Sequence, residues 1–379
     1  MRDSKQLNEF PSVLQIAHGR IIPPYSSAYS QRCHSLIKDE HRRLISCGGA
    51  VFRDEISGYA EQYRSLIITG LSFIRGNRSL EIYISRGKYL RKKYLKRLIN
   101  LVRDSEIVIF EGPWQFPLVK NILQDKFVVY DAHNVEYLLR KENKYMEECR
   151  KIEGDLLSRS DVVLSVTKKD IQSFQDIYNV DISKLYYVPH LVNPAPTQWK
   201  GSNSNSILFI GSIYSPNNTA LDQIYELASK LPQYRFEIIG SARSSKRNKL
   251  GNVILHGIVD EAVKDEIMSR SFLALNPVTE GGGRNVKMVD YLSHGLPILS
   301  TPIGIRGFEE FDLSGSVIVS EPELFAEYIE KLSSDRENLK RMSQNATATY
   351  EKILKSENNI MPEEIILQQY LARNKKNYS

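Results

Sequence analysis

The segment Asn276–Thr301 holds the residues best suited to chemistry. Three consecutive glycines, Gly281, Gly282 and Gly283, are followed by Arg284, Lys287 and Asp290. The apolar run Phe272–Leu275 before them predicts a strand, and 285–294 predicts a helix starting just after the glycines. Glycine lets a backbone approach a ligand closely. Unused amides at a helix start favour an anion, typically phosphate, and Arg284 and Lys287 add positive charge at the same end. Lys287 and Asp290 are three apart and share a helix face. A phosphate at the glycines and a hydroxyl-binding carboxylate one turn on describe a nucleotide site, diphosphate first and ribose second. Three adjacent glycines alone fit a plain Gly-rich turn equally well.

Two more strands end in glycine nearby. Ile207–Ile210 runs into Gly211 and Ser212, with Asn217 and Asn218 placed to cap the next helix. Phe236–Ile239 runs into Gly240 and Ser241, followed by Arg243, Lys246 and Arg247. Each turn taken singly is an ordinary strand-to-helix connection; three at one edge of one sheet argue for a ligand. In the first half, His133 follows the strand 127–130, and His18 begins the loop after the strand 12–17. Tyr29 lies at the start of the helix expected over 28–38. Glu111, just past strand 107–110, is either an acid or base or a loop carboxylate. His190 and His294 read as packing or solvent residues, and the Asn-x-Ser/Thr triplets at 77, 217 and 345 as chance matches.

The elements that must position these residues alternate. Strands are expected at 12–17, 64–69, 80–84, 107–110, 127–130 and 162–166, with helices at 28–38, 87–103, 117–123, 135–159 and 169–178. After a Pro-then-Gly/Ser/Asn tract, alternation resumes with strands at 207–210, 236–239, 252–255, 272–275, 297–300 and 317–319. Helices are expected there at 218–231, 261–270, 285–294 and 322–333, and in the tail at 335–354 and 363–373. This is an α/β pattern of two doubly wound, mainly parallel sheets. The predicted division is a first domain over 1–190, a linker over 191–206, a second domain over 207–355 and a helical tail over 356–379 packing back on the first domain. Two such units imply a cleft, with ligands beyond the carboxyl ends of the strands.

Composition narrows the class. The 379 residues are 41% hydrophobic and 25% charged, which is ordinary for globular proteins and excludes a disordered chain, a collagen-like fibre and a coiled coil. No apolar run approaches the ~20 residues of a membrane span, and no signal peptide is expected from MRDSKQLNEF. Cys33, Cys47 and Cys149 contain no CxxC, which excludes a disulfide framework and suits a reducing cytosol. The net charge is +6, yet Ser85–Arg103 alone carries eight Lys/Arg and no acid. Arg86 to Arg103 therefore has two readings: a solvated helix face, or attraction to an anionic membrane surface at ~1 kcal/mol per basic residue.

The second half resembles the donor domain of GT-B glycosyltransferases, specifically the retaining family 4 group. The resemblance runs through 207–217, Phe236–Gly240, Asn252–Gly257, Pro277…Gly-Gly-Gly-x-x-x-Lys-x-x-Asp290, Gly295–Thr301 and Gly304-x-x-Gly307. Val128–Glu136, Ser160–Ser165 and Val188–Asn193 extend it to the first half. It implies a GT-B fold of two Rossmann-like domains and transfer of a hexose from a UDP- or GDP-sugar to a glycan or lipid-linked acceptor, with retention. Asp290 falls where the family holds the donor ribose, usually with Glu. An earlier family Glu falls on Gly282, with Glu280 two residues before it. The amides of 281–283 with Lys287 and Arg284 would hold the diphosphate, beside Gly211, Ser212 and Gly240. His133 would face the donor sugar, and His18 and Tyr29 would lie on the acceptor side, where Ser26-Ser27-Ala28 replaces the usual Gly-Gly. Without an Asp-x-Asp, no motif-chelated metal is expected, and no cofactor is tightly bound. The implied location is cytoplasmic, including the inner face of the membrane. A sugar-nucleotide epimerase, a phosphorylase and a basic nucleic-acid-binding protein are the competing readings; the last lacks any known module, and no nucleic-acid partner is expected.

Overall fold

The computed structural model describes residues 10–22, 28–49, 53–75, 81–140, 144–190, 199–213, 215–242, 244, 250–357 and 360–377. Arg243, Lys246, Arg247, Ser26, Ser27, the triplet at 77–79 and the linker stretch 191–198 lie outside them. The chain divides into two compact units, 1–189 with 360–379, and 190–359.

The first unit is built on eight strands: β1 (Val13–His18), β2 (Arg42–Gly48), β3 (Glu55–Ser57), β4 (Ala60–Arg64), β5 (Ile107–Phe110), β6 (Phe127–Ala132), β7 (Val162–Ser165) and β8 (Leu185–Tyr187). Their order is β3-β4-β2-β1-β5-β6-β7-β8, parallel except for β3. The central strands are apolar runs such as Ile107-Val-Ile-Phe110, fully buried because helices cover both faces. The chain order reverses at β1, which pairs with β2 on one side and β5 on the other. In sheets of this kind ligands bind beyond the carboxyl ends of the strands at such a switch point.

The second unit has six parallel strands: β9 (Ser206–Ile210), β10 (Arg235–Ile239), β11 (Val253–Gly257), β12 (Leu273–Asn276), β13 (Ile298–Ser300) and β14 (Val317–Val319). Their order is β11-β10-β9-β12-β13-β14, with the switch point between β9 and β12. Two doubly wound α/β sheets are therefore present.

Several element expectations differ from the structure. The β-branched run at 64–69 reads as a strand, but β4 ends at Arg64 and Leu66–Arg75 is a helix. The Ser65 hydroxyl accepts the Ile68 N–H at 3.2 Å and caps it. Residues 82–85 form a helical turn, not a strand. The first helix stops at Ser35 because the chain must turn into β2, whose Arg-Arg start hid it from the apolar pattern. The segment expected as one helix over 135–159 has a short turn at Leu138–Arg140 and a helix only from Met146.

The basic helix spans Lys92–Asp104 and buries Tyr94, Leu98, Leu101 and Val102. Around it, Arg86, Arg91 and Arg97 pair with Glu148, Asp54 and Glu61, acids from outside the basic stretch. The helix Pro362–Asn377 belongs to the first unit. Tyr370 meets the Phe127 ring edge-on at 5.7 Å and donates to Glu106 at 2.9 Å, and Arg373 pairs with Asp161 at 2.9 Å.

Candidate functional site

In the second unit, three turns converge at the carboxyl ends of β10, β9 and β12. The first two interlock. The Gly211 N–H donates to Ile239 O, and the Ala242 N–H donates to Gly211 O, both at 2.9 Å. Gly240 has φ +108°, and a Cβ there would lie 2.2 Å from Gly211 O, so no side chain fits. Ser241 Oγ accepts the Ile213 N–H, and Asn217 Nδ2 donates to Ser212 O at 3.1 Å.

The third turn, 277–286, leads from β12 into the helix Lys287–Ser293. Among the described residues, the amides of Gly281, Gly282 and Gly283 donate to no acceptor in the chain. The turn is braced from behind. Asn276 Nδ2 and Asn285 Nδ2 both donate to Gly304 O, at 2.8 and 2.9 Å. Tyr291, fully buried on the helix, accepts the Ile210 N–H at 2.9 Å and ties the helix to the end of β9.

Lys287 crosses the switch point. Its Nζ donates to Asn217 Oδ1 at 2.8 Å and lies 4.4 Å from the centroid of the Phe209 ring. Burial, and then the positive Arg306, push its pKa down to about 7; no carboxylate offsets them. Arg306 donates from Nε to Gly282 O at 2.9 Å. Asp290 lies one turn beyond Lys287. Burial pushes its carboxyl up, while Lys264 at 4.0 Å and His294 pull it down.

In the first unit, His18, Glu111 and His133 follow the adjacent strands β1, β5 and β6, with Asp131 on β6. The His133 Nε2 is hydrogen-bonded to Glu111 Oε2 at 2.8 Å, and Gln15 Nε2 holds the other Glu111 oxygen. Arg32 grips Asp131 with two hydrogen bonds, 2.8 and 2.5 Å, and donates to Val188 O at 2.8 Å. Burial and then Asp131 raise the Glu111 carboxyl, whereas Arg32 holds Asp131 low against its burial. The Tyr29 ring lies against those of His18 and His133, centroids 4.4 and 4.6 Å away. Its hydroxyl accepts the His18 N–H and meets His18 Nδ1, each at 2.9 Å. Burial pushes His18 down to about 4, so it is neutral at pH 7. Cys33, Glu111 and His133 bring one donor atom each within 4.8 Å of one another, close enough to share a metal ion. In the structure, hydrogen bonds already engage the carboxylate and the imidazole.

Residues 204–335 match the family model described as glycosyl transferases group 1. Most of the second unit is therefore similar to a group 1 glycosyltransferase domain. The whole chain resembles an uncharacterized 44.6 kDa protein in the cps region of Klebsiella pneumoniae, 22% identical over 365 residues, covering 85% of this chain and 92% of that one. Among solved structures it is similar to Anabaena Alr3699/HepE in complex with UDP-glucose: TM-score 0.67, 13% identity, 96% of this chain and 99% of that one. It is also similar to WaaG, a glycosyltransferase involved in lipopolysaccharide biosynthesis: TM-score 0.62, 14% identity, 94% and 98% coverage. These likenesses show the fold, which is GT-B with two Rossmann-like units. Among the described residues, no helix is long and apolar enough to cross a membrane.

Within the second unit, Gly211, Ser212, Gly240, Gly281–Gly283, Lys287 and Asp290 gather at one sheet edge. Glu280 is there too, exposed to solvent. Arg284 points elsewhere. Its guanidinium is buried, pairs with Glu357 at 2.8 Å and lies 4.4 Å from the centroid of the Phe308 ring. The arginine in contact with the glycines is instead Arg306, whose Nε donates to Gly282 O and which stood in the sequence only inside Gly304-x-x-Gly307. His294 is held by Asp265 at 2.9 Å and by Asp290 O, as a packing residue would be. In the first unit, His18, Tyr29, Glu111 and His133 form one cluster. Arg32 and Asp131, its ion pair, lay in the helix expected over 28–38 and in Val128–Glu136 without being singled out.

Proposed function

We propose that the chain is a retaining, metal-independent glycosyltransferase. It moves a hexose from a nucleoside-diphosphate sugar, UDP-linked by analogy with HepE, to a glycan or lipid-linked acceptor. The observation that carries the reading is Lys287, held across the β9/β12 switch point on Asn217, at the start of the helix that follows a turn whose glycine amides, among the described residues, make no backbone hydrogen bond. Transfer from such a donor builds negative charge on the departing diphosphate. A cation and backbone donors fixed before the reaction stabilise that charge without reorganising. Asp290, one turn on, accepts the ribose hydroxyls. Gly211, Ser212 and Gly240 keep the neighbouring turns low enough for the nucleotide to lie over them. His133 is assigned to the sugar, with His18 and Tyr29 on the acceptor side of the first unit.

WaaG acts in lipopolysaccharide biosynthesis, and the Klebsiella relative lies in a cps region. A cell-surface glycan on a lipid carrier is the acceptor class we infer, met at the cytoplasmic face of the membrane. Lys92, Lys93 and Lys96 are exposed beside the paired Arg86, Arg91 and Arg97, and Leu66 and Ile67 are exposed on the helix whose capping Ser65 bonds Tyr89 O. Changing the three lysines to Glu is expected to abolish co-sedimentation with anionic liposomes; unchanged sedimentation, or none by the wild type, rejects the membrane contact.

The donor reading is tested by sugar-nucleotide turnover. Lys287→Ala and Asp290→Ala are each expected to lower it at least ~100-fold in protein whose circular dichroism matches wild type. Full activity in both variants rejects the assignment.

A further inference from the structure

We propose that Glu153 is a positioning residue for His133, its carboxylate pinning the chain on both sides of that histidine. The proposal rests on the assignment of His133 to the donor sugar and adds the group that holds it there.

Glu153 lies on the helix Met146–Arg159 and is fully buried. Four donors converge on it. The Tyr130 hydroxyl donates to Oε1 at 3.1 Å, and the Glu136 N–H donates to the same oxygen at 2.8 Å. Oε2 takes the Tyr137 N–H at 3.1 Å and the Tyr178 hydroxyl at 2.6 Å. Tyr130 stands on β6, three residues before His133; Glu136 and Tyr137 stand three and four residues after it. One carboxylate therefore ties together the two ends of a segment with His133 at its middle. Two of the four bonds come from main-chain amides, so they fix the path of the turn itself.

The same turn is clamped a second time, against the turn that follows β5. Arg140 pairs with the Glu136 carboxylate, donates to Glu136 O at 3.2 Å and lies 4.6 Å from the centroid of the Trp114 ring. Trp114, fully buried, is three residues after Glu111, the hydrogen-bond partner of the His133 ring. Glu111 thus holds the imidazole, and Glu153 holds the backbone from which it projects. Burial and then Glu136 push the Glu153 carboxyl up to about 7. A buried carboxylate beside another acid is a costly way to fill space, and an apolar side chain would fill it at less cost. What the turn uses is the shape of the carboxylate, two oxygens with room for about four donors. A Gln side chain offers one oxygen and sets its own N–H donors against the rest.

The alternative is that Glu153 only stabilises the fold. Turnover of UDP- and GDP-sugars by wild type, Glu153→Gln, His133→Ala and the double variant separates the two. Glu153→Gln is expected to lower kcat roughly 10- to 100-fold and to leave UDP affinity, read by calorimetry, unchanged. With His133 already Ala it should cost less than ~2-fold more, since it acts through that residue. The His133 imidazole signal in NMR spectra, identified by its absence from His133→Ala, should shift in Glu153→Gln. The signals of His256 and His294, in the second unit, should not move. Tyr130→Phe removes one of the four donors and should shift the same signal by less; it carries the test if Glu153→Gln does not fold. An unmoved His133 signal, equal losses with and without His133, or wild-type turnover in Glu153→Gln overturns the proposal. If His133→Ala is impaired and Glu153→Gln is not, His133 stands and Glu153 falls. If His133→Ala keeps full turnover, or wild type turns over no sugar nucleotide, the reading beneath the proposal fails and the proposal with it.

Discussion

The two Rossmann-like units place chemistry at the same address, the carboxyl ends of the strands around a switch point, but treat charge in opposite ways. In the first unit the charges are closed on themselves: Arg32 on Asp131, Glu111 between His133 and Gln15. In the second, Lys287 has an amide oxygen and a ring face for company, with a second cation nearby and no carboxylate. A closed network is a structural framework that holds side chains in place. A desolvated lysine with no carboxylate beside it is stabilised by an anionic ligand. On the proposed reading, the first cluster holds His133, His18 and Tyr29 in place for the sugar and acceptor, and the second binds the donor diphosphate.

Substitutions break that comparison in order of size. Arg32→Ala should cost ~3–5 kcal/mol of stability, because it leaves Asp131 charged and buried without its partner. Urea denaturation reads the loss, and a shift within ~0.5 kcal/mol would show that the first network is not closed. Lys287→Met should do the reverse. It should cost donor turnover roughly 10²–10³-fold while leaving the melting temperature equal or higher, since it removes a desolvated charge. A large drop in melting temperature would make Lys287 a framework residue and erase the contrast. Gly240→Ala should cost ~1–3 kcal/mol from backbone strain, with a further penalty from the contact with Gly211 O. It should also weaken UDP binding, since both turns would shift. Wild-type stability in that variant would show that the turns are not interlocked.

Much of this was legible in the sequence. Apolar runs such as Ile107–Phe110 and Phe272–Leu275 gave the central strands, because a strand buried on both faces has no polar positions to disguise it. The glycine turn, Lys287 and Asp290 stood within ten residues of one another, so local spacing was enough. What failed was non-local. Arg284 and Arg306 flank the same turn, and only packing tells which faces it: Glu357, 73 residues on, draws Arg284 inward. Arg32 and Asp131 are 99 residues apart. Residues 64–69 read as a strand from their β-branched run, but Ser65 caps a helix over Leu66–Arg75.

The central claim is that the second unit holds a nucleoside diphosphate through Lys287, and proton linkage tests it most directly. The free lysine has a pKa lowered from 10.5 to about 7. Below pH 7 it is already charged; above it the free site is increasingly neutral. A bound diphosphate favours the charged form, so binding must take up a proton as pH rises from 7 towards 10. UDP affinity should then fall by up to about tenfold per pH unit. Calorimetric titration of UDP at pH 8, in two buffers of different ionisation enthalpy, measures the uptake. The account predicts an uptake approaching one proton, absent in Lys287→Met. UDP binding without proton uptake, or with the same uptake in the variant, would contradict it.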